Sequence, residues 1–346
     1  MQDRYAKAII EELRLRAYNI NNVRVHTVYI GGGTPSCMRT NLLTNIVNAI
    51  NTGLNVQKED IEEFTIECNP DDVTEEFTEA IVGMGVNRVS LGVQTFSDKR
   101  LEFLRRRHDA AQAVSAIQTL RRHGIRNISI DLMFGFPNET LTEWQKDIKK
   151  ATELGVEHIS AYSLMYEEGT PLYRMLMEGK VKECDEALSK EMYEVLIEML
   201  DKAGYEHYEI SNFAKKGYRS KHNSSYWNDS IYLGLGAAAH SYDRNSRQWN
   251  ISDIEKYIEA IENEEIPAEN ELIDPATHYN DTITTALRTK EGIDLTKVEE
   301  PYKSYLLKNA EKAIASGNLQ IKDERLSLTR QGLYISDSVM ADLIWV

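Results

Sequence analysis

Short apolar runs rich in β-branched residues alternate along the first half of the chain with stretches whose apolar residues recur every three or four positions. Met1 to about Tyr18 sets Ala6, Ile9, Ile10, Leu13 and Ala17 on one helical stripe. Val23 to Ile30 then reads as a buried strand, with Arg24 and His26 its only charged or titratable interruptions. Further strands are predicted over Glu62 to Pro70, where the proline stops the run, and over Val86 to Val93, Asn127 to Phe134 and His158 to Met165. Between them fall helices over Asn41 to Ile50, Thr74 to Met84, Asp98 to Leu104, Ala111 to His123 and Leu141 to Leu154. Strand and helix alternate at steps of roughly thirty residues, the rhythm of stacked βαβ units and of a parallel sheet curled toward a barrel.

In such a sheet ligands bind where the C-terminal strand ends meet loops and helix starts. Those ends carry Gly31 to Thr34, Glu67 with Asn69, Gln94, Asp131, and Tyr162 with Ser163. Gly31, Gly32 and Gly33 remove every Cβ at the strand exit, so a ligand can touch bare backbone there, and Pro35 stiffens the turn. Successive strands ending in polar or glycine-rich elements predict one binding site.

Beyond Met165 the regular alternation stops. Ser189 to Ala203 reads as a helix and Tyr205 to Ile210 as a strand. Ser211 to Asp229 reads as a loop dense in polar and aromatic residues, with the run His222-Asn223-Ser224-Ser225-Tyr226-Trp227. Small residues lead from Gly234 to Ala239, and His240 stands at their exit. The tail predicts helices over Asp253 to Glu262, Ala276 to Arg288 and Tyr302 to Ser316, a two-stranded wing at Leu319 to Ile321 and Arg325 to Leu328, and a last helix over Thr329 to Leu343. That order is winged-helix-like. Glu262, Glu264, Glu265, Glu269, Glu271, Glu299 and Glu300 make the region acidic, which predicts a packing or protein-docking unit rather than a DNA reader.

The chain has 346 residues, 42% hydrophobic and 27% charged, enough for a large core. A net charge of −15 against 40 lysines and arginines argues against a nucleic-acid footprint. No apolar run reaches membrane-spanning length, and the amphipathic start is unlike a signal peptide, so a cytoplasmic location is expected. Cys37, Cys68 and Cys184 are too few and too far apart for a disulfide framework or a cysteine-rich metal knuckle.

Taken together, Gly31-Gly32-Gly33-Thr34-Pro35, Glu67-Cys68-Asn69-Pro70, Gly92-Val93-Gln94-Thr95-Phe96 and Asp131-Leu132-Met133-Phe134-Gly135-Phe136-Pro137 resemble the radical S-adenosylmethionine branch that holds oxygen-independent coproporphyrinogen III oxidase and the heme chaperone HemW. The second half, with the His222 to Trp227 run, Gly236 to Tyr242 and Leu287 to Gly292, looks more like HemW. The resemblance implies that Gly32, Gly33 and Thr34 hold the amino group of S-adenosylmethionine, and that Glu67, Gln94, Arg106 and Asp131 line the same pocket with Met133 beside them. Arg106 suits the methionyl carboxylate, although Arg105 and Arg107 flank it. It further implies heme binding by His222, Asn223, Tyr226 and Trp227, with His240 a weaker candidate.

The implied fold class is α/β: an incomplete parallel (β/α) TIM-like radical S-adenosylmethionine barrel lacking its first strand, followed by a C-terminal α/β and winged-helix-like region. The implied division is 1–168 partial barrel, 169–250 barrel extension with the His-Asn-x-x-Tyr-Trp loop, and 251–346 winged-helix-like domain. The family's four-iron, four-sulfur cluster sits on a Cys-x-x-x-Cys-x-x-Cys loop, and this chain has no such loop. The expectation is therefore a truncated chain, or alternatively a natural variant that lost the radical chemistry, with no catalytic residue, no metal ligand and no radical chemistry as given, and either way a strand over Val23 to Ile30 missing its partner on one edge. The expected partners are heme or porphyrin and a heme-acceptor protein, with a homodimer and peripheral membrane contact left open and nucleic acid excluded. The competing function is a genuine coproporphyrinogen III oxidase of porphyrin biosynthesis.

Overall fold

The computed structural model describes residues 1–17 and 24–346. The expected helix end at Tyr18 and strand start at Val23 lie outside the described residues. The chain begins with α1 (Gln2–Ala17), β1 (Thr27–Ile30) and α2 (Thr40–Gly53). It continues through β2 (Glu63–Cys68), α3 (Glu75–Met84), β3 (Arg88–Gln94), α4 (Asp98–Phe103), α5 (Ala110–Arg122), β4 (Asn127–Phe134), α6 (Leu141–Glu153) and β5 (His158–Ser163). These match the predicted alternation closely. Capping explains the sharp helix starts: Thr74 caps α3, and Asp109 with Gln112 and Thr140 with Glu143 form capping boxes on α5 and α6.

Next come α7 (Pro171–Met177), α8 (Glu186–Lys202), β6 (Tyr205–Glu209), β7 (Asn212–Lys215) and α9 (Lys221–Trp227). The stretch expected to be a loop from Ser211 to Asp229 is thus a strand and a short helix. Poor helix formers such as His222, Asn223 and Ser224 hid α9, whose first turn is held from outside by the distant Glu63 carboxylate. After it come β8 (His240–Tyr242), β9 (Ser246–Asn250), α10 (Ile254–Glu262), β10 (Ala268–Leu272), α11 (Pro275–Ala286), β11 (Ile293–Asp294), α12 (Tyr302–Ala315), β12 (Leu319–Lys322), β13 (Arg325–Leu328), α13 (Arg330–Leu333) and α14 (Ser336–Ala341). The single last helix expected over Thr329 to Leu343 is therefore two, because Ile335 leaves helical geometry at φ −127° and ψ 28°.

A seven-stranded sheet has the order β1-β2-β3-β4-β5-β7-β6. β2 to β5 pair in parallel, and β7 is antiparallel to both β5 and β6. β1 stands at one end of that order and β2 is its neighbour among the described residues. Two compact units are distinguished, one of Met1–Val28, Met38–Glu63 and Ser220–Val346, the other of Tyr29–Cys37 and Phe64–Arg219.

In the second unit the parallel strands alternate. Val89, Leu91 and Val93 of β3 and Ile128, Ile130 and Leu132 of β4 are buried on one face. Each such side chain contributes roughly 1.5–3 kcal/mol over leaving it in water. Trp144 of α6 is fully buried, packs at 5.3 Å on Phe134 and donates its Nε1 hydrogen to the Met192 carbonyl, tying α6 to α8. The opposite face is polar and in register. Thr65 pairs with Arg88 and Arg88 with Asn127; Glu67 pairs with Ser90, Ser90 with Ser129 and Ser129 with His158. Parallel sheets usually bury apolar side chains on both faces. Here the polar face is buried as well, with Thr65, Arg88, Ser90, Ser129, His158 and Ser160 each under a tenth exposed.

In the first unit α1 packs on α2 and α10. Its fully buried Glu12 is satisfied by Arg16, by the Asn250 amide, by Tyr257 Oη at 2.7 Å and by the Gly236 N–H at 2.8 Å. β8, β9 and β10 form one antiparallel sheet and β11, β13 and β12 another. The second covers a core of Ile283, Leu287, Leu306 and Leu326 from α11, α12 and β13.

Candidate functional site

The glycine-rich exit of β1 is organised by one carboxylate. Glu67, near the end of β2, accepts from Tyr29 Oη at 2.5 Å on one oxygen and from the Gly32 N–H at 3.1 Å on the other. Burial first, and then the Glu67 charge, push the Tyr29 phenol far above its ordinary range, so Tyr29 stays a donor. Gly32 and Gly33 take φ of +77° and +58°, and a Cβ built on either meets nothing within 4 Å. The backbone there borders open space.

The end of β3 adds a second cluster. A register shift between Leu91 and Gln94 accompanies a φ of +67° at Gln94, a strained backbone for that residue type. A Cβ on Gly92 would lie 2.9 Å from Gln94 Nε2 and 3.1 Å from Arg106 Nη2, so both side chains lie over that glycine. Arg106 donates to Asn69 Oδ1 at 2.5 Å and to the Gly92 carbonyl at 3.0 Å. Of the three adjacent arginines it alone turns inward. Arg105 is exposed, and the exposed Arg107 pairs with Asp71 and Asp72.

Asp131 on β4 belongs to the same face. Its carboxyl is pushed up to about 6, by burial first and then by the Glu67 charge, against the pull of Arg88 and of hydrogen bonds from Ser160 and Ser90. Met133, partly buried, sits opposite Tyr162 on β5. Within this unit Glu67, Gln94, Arg106 and Asp131 therefore converge above bare glycine backbone. That set offers carboxylates to a cation and a guanidinium to a carboxylate. Tyr29, Arg88, Ser90 and Ser160 were not among the residues expected from the sequence. The polar alternation of β3, β4 and β5 is the signal that would have found Arg88, Ser90 and Ser160.

In the other unit Glu63 holds the helix that carries His222. Its carboxylate is 3% exposed and accepts from the Lys221 and His222 N–H groups, both at 2.9 Å, and from Ser220 Oγ at 3.2 Å. The His222 ring is fixed at both ends, Nδ1 2.9 Å from Thr27 Oγ1 and Nε2 2.9 Å from Tyr226 Oη. Tyr226, 40% exposed, continues edge-on to Tyr232 at 4.9 Å, and Tyr232 lies 6.0 Å from Tyr242. The Asn223 N–H is taken by Ser220 Oγ. Trp227 packs beneath the Arg288 guanidinium at 5.1 Å. His240, exposed on β8, stacks on Trp249 at 6.2 Å.

Residues 2–151 match the Radical SAM superfamily and residues 273–335 the HemN C-terminal domain. The heme chaperone HemW of Lactococcus lactis is 35% identical over 301 residues, which span 87% of this chain and 78% of that protein. HemW of Bacillus subtilis is 33% identical over 97% of this chain and 90% of its own length. The chain belongs to the HemW family of radical S-adenosylmethionine proteins. Among solved structures, coproporphyrinogen III oxidase (HemN) of Escherichia coli superposes with a TM-score of 0.85 at 18% identity, covering 99% of this chain and 83% of that one, which shows a shared fold.

Membership of this HemW family implies S-adenosylmethionine and a four-iron, four-sulfur cluster as cofactors. The open glycine backbone and the mixed charges around Glu67 fit the first. The cysteines do not fit the second. Cys37 is exposed beside Asp72 and Arg107, Cys68 is buried at the end of β2 with its thiol pushed up by that burial, and Cys184 precedes α8. No three His, Cys, Asp or Glu side chains converge as metal ligands among the described residues. No helix among them is long and apolar enough to cross a membrane.

Proposed function

We propose that this protein is a heme-trafficking protein that takes up heme at α9 and passes it to an acceptor protein in the cytoplasm, and that it binds S-adenosylmethionine at the glycine-rich strand ends. The observation that carries the heme reading is the His222–Tyr226 pair on one face of a short helix, continued by Tyr232 and Tyr242. An imidazole and a phenol are both axial ligands of heme iron, and the tyrosine series offers ring faces to a flat macrocycle. Thr27 on Nδ1 makes Nε2 the His222 nitrogen that would meet iron, in exchange for Tyr226. Asn223, Trp227 and His240 frame this region. The names of the relatives support the same reading, since both are heme chaperones.

For S-adenosylmethionine, Gly32, Gly33 and Thr34 would receive the methionyl amino group. Arg106 would take the carboxylate, Glu67 and Asp131 the ribose or ammonium, and Gln94 and Met133 would complete the wall. The sequence divisions at 168 and 250 would then separate this barrel part from the heme loop and from the winged-helix-like tail.

Titration of the full chain with hemin, followed by the Soret band, tests the heme site. His222→Ala is expected to bind at least about tenfold more weakly than the parent. Equal binding would remove His222 from the site. Titration with S-adenosylmethionine, parent against Glu67→Gln, tests the second site independently, and unchanged affinity would remove Glu67.

A further inference from the structure

Arg106 and Arg107 are adjacent and are held in opposite ways. Arg107 is exposed and pairs with the carboxylates of Asp71 at 3.1 Å and Asp72 at 3.0 Å, so its charge is cancelled where it stands. Arg106 meets no carboxylate at ion-pair distance among the described residues, and Asp71 and Asp131 act on it only at longer range. Its two partners are neutral, Asn69 Oδ1 at 2.5 Å and the Gly92 carbonyl at 3.0 Å, and both are met by the same nitrogen, Nη2. Nε and Nη1 keep their hydrogens for a ligand. Neutral acceptors fix the direction of a guanidinium and leave its charge unspent.

The backbone of Asn69 places it for this contact. It opens the short turn Pro70–Asp72, a position from which asparagine ordinarily caps the turn's own N–H groups, yet its side chain makes no such bond. Its N–H donates to Ser36 Oγ at 3.2 Å, Ser36 Oγ donates to Asp72 Oδ2 at 2.6 Å, and the Asn69 carbonyl accepts from the Asp72 N–H at 3.1 Å. The main chain is thus pinned on both sides while the side-chain amide reaches Arg106. A guanidinium has no acceptor, so the amide oxygen is the end that faces it. Gly92 completes the seat, because a Cβ there would stand 3.1 Å from Arg106 Nη2.

On the reading of the strand ends as an S-adenosylmethionine site, we propose that Asn69 is a positioning residue that sets ligand specificity. It aims Arg106 without neutralising it, so the site selects a ligand arm that carries a carboxylate beside its amine over an arm that ends in the amine alone. An aspartate at this position would keep an acceptor in the same place but add a charge that competes with the ligand's carboxylate, as Asp71 and Asp72 do at Arg107.

The test is calorimetric titration of the full chain, in a carboxylate-free buffer, with S-adenosylmethionine and with its decarboxylated form, which keeps the amine and the sulfonium. The parent is expected to bind S-adenosylmethionine about tenfold or more tightly than the decarboxylated form, since a charge-assisted contact separates the two. Asn69→Asp is expected to lose about tenfold toward S-adenosylmethionine while holding or gaining affinity for the decarboxylated form, a split that a damaged fold does not produce. Asn69→Ala, which lets the guanidinium turn, should lose affinity for S-adenosylmethionine alone, and in an Arg106→Gln background it should leave the ratio of the two affinities unchanged. A parent that binds neither compound overturns the cofactor reading and the proposal with it. A parent that binds both compounds equally, or variants that lose both equally, overturn the proposal and leave the cofactor reading standing.

Discussion

Asp131→Asn is expected to stabilise the protein near neutral pH, and the gain should vanish in acid. The carboxyl has an ordinary value of 3.8 and is pushed up to about 6 in the folded chain, mainly by burial. Between those values the folded protein holds a proton that the unfolded chain has released. Wild-type stability therefore falls as pH rises through that window, and the loss is complete above about pH 6. The full displacement corresponds to about 3 kcal/mol. Solvent at the partly exposed edge of Asp131 trims this to about 1.5–3 kcal/mol. Asparagine keeps an acceptor oxygen for Ser90, so the substitution removes the charge with little change of shape.

Urea unfolding of both proteins at several pH values from 4.5 to 8, in buffers free of carboxylates, measures the gap directly. Subtracting the variant from the parent cancels every other titrating group, including Glu139 and Asp147, whose carboxyls burial also raises. The gap should be small at the acid end, widen through the window and stay constant above it. A gap that is constant with pH, or one that widens toward acid, would refute the assignment of a buried, charge-crowded carboxyl to Asp131. The same experiment bears on the proposed cofactor site, since a destabilising buried charge is what a site built for a cation would retain.

Gly31→Ala should fail for a steric reason, since the new Cβ would stand 2.2 Å from Tyr29 Cε1 and 2.9 Å from Glu67 Oε1. Overpacking of this kind costs about 1–3 kcal/mol, and thermal unfolding together with S-adenosylmethionine titration should show both a lower melting temperature and weaker binding. Glu63→Ala would strip the first turn of α9 of its acceptor, leaving the N–H groups of Lys221 and His222 and the Ser220 hydroxyl without it. The expected loss is about 2–4 kcal/mol, with hemin affinity falling in parallel. Glu63→Gln should recover part of both, and unchanged hemin binding in Glu63→Ala would show that α9 does not depend on this carboxylate.

The five strands β1 to β5 were legible because strand formation there is local and strong: β-branched runs bounded by Gly31, Pro70 and the capped helix starts. Placement of Glu67, Gln94 and Asp131 at successive strand ends came from that register alone. α9 was not legible, because Lys221 to Trp227 is short and rich in poor helix formers, and beyond the Ser220 cap its first turn is satisfied by Glu63, far away in sequence. The β8, β9 and β10 sheet was missed for a related reason. Ser246 to Asn250 carries polar residues on both faces, and its pairing with Ala268 to Leu272 is fixed by register across the intervening α10. Inward selection of Arg106 from three adjacent arginines likewise needed the structure, since sequence spacing does not tell which guanidinium lies over Gly92.

The alternation of β3 and β4 carries the most weight for function. A parallel strand covered by helices on one face and buried on the other gains most by being apolar throughout, at roughly 1.5–3 kcal/mol for each large side chain. Arg-Val-Ser-Leu-Gly-Val-Gln and Asn-Ile-Ser-Ile-Asp-Leu-Met-Phe give up that gain at Arg88, Ser90, Gly92 and Gln94 and at Asn127, Ser129 and Asp131. Ser129 is satisfied by His158, and Ser160 by Asn212, so part of the cost is recovered inside the protein. At Thr65, Arg88 and Asn127 it is not. Where a fold forgoes apolar burial along a whole face, its polar side chains serve what that face holds or positions, and under the proposed reading the crowded carboxylates of Glu67 and Asp131 set it for a cation.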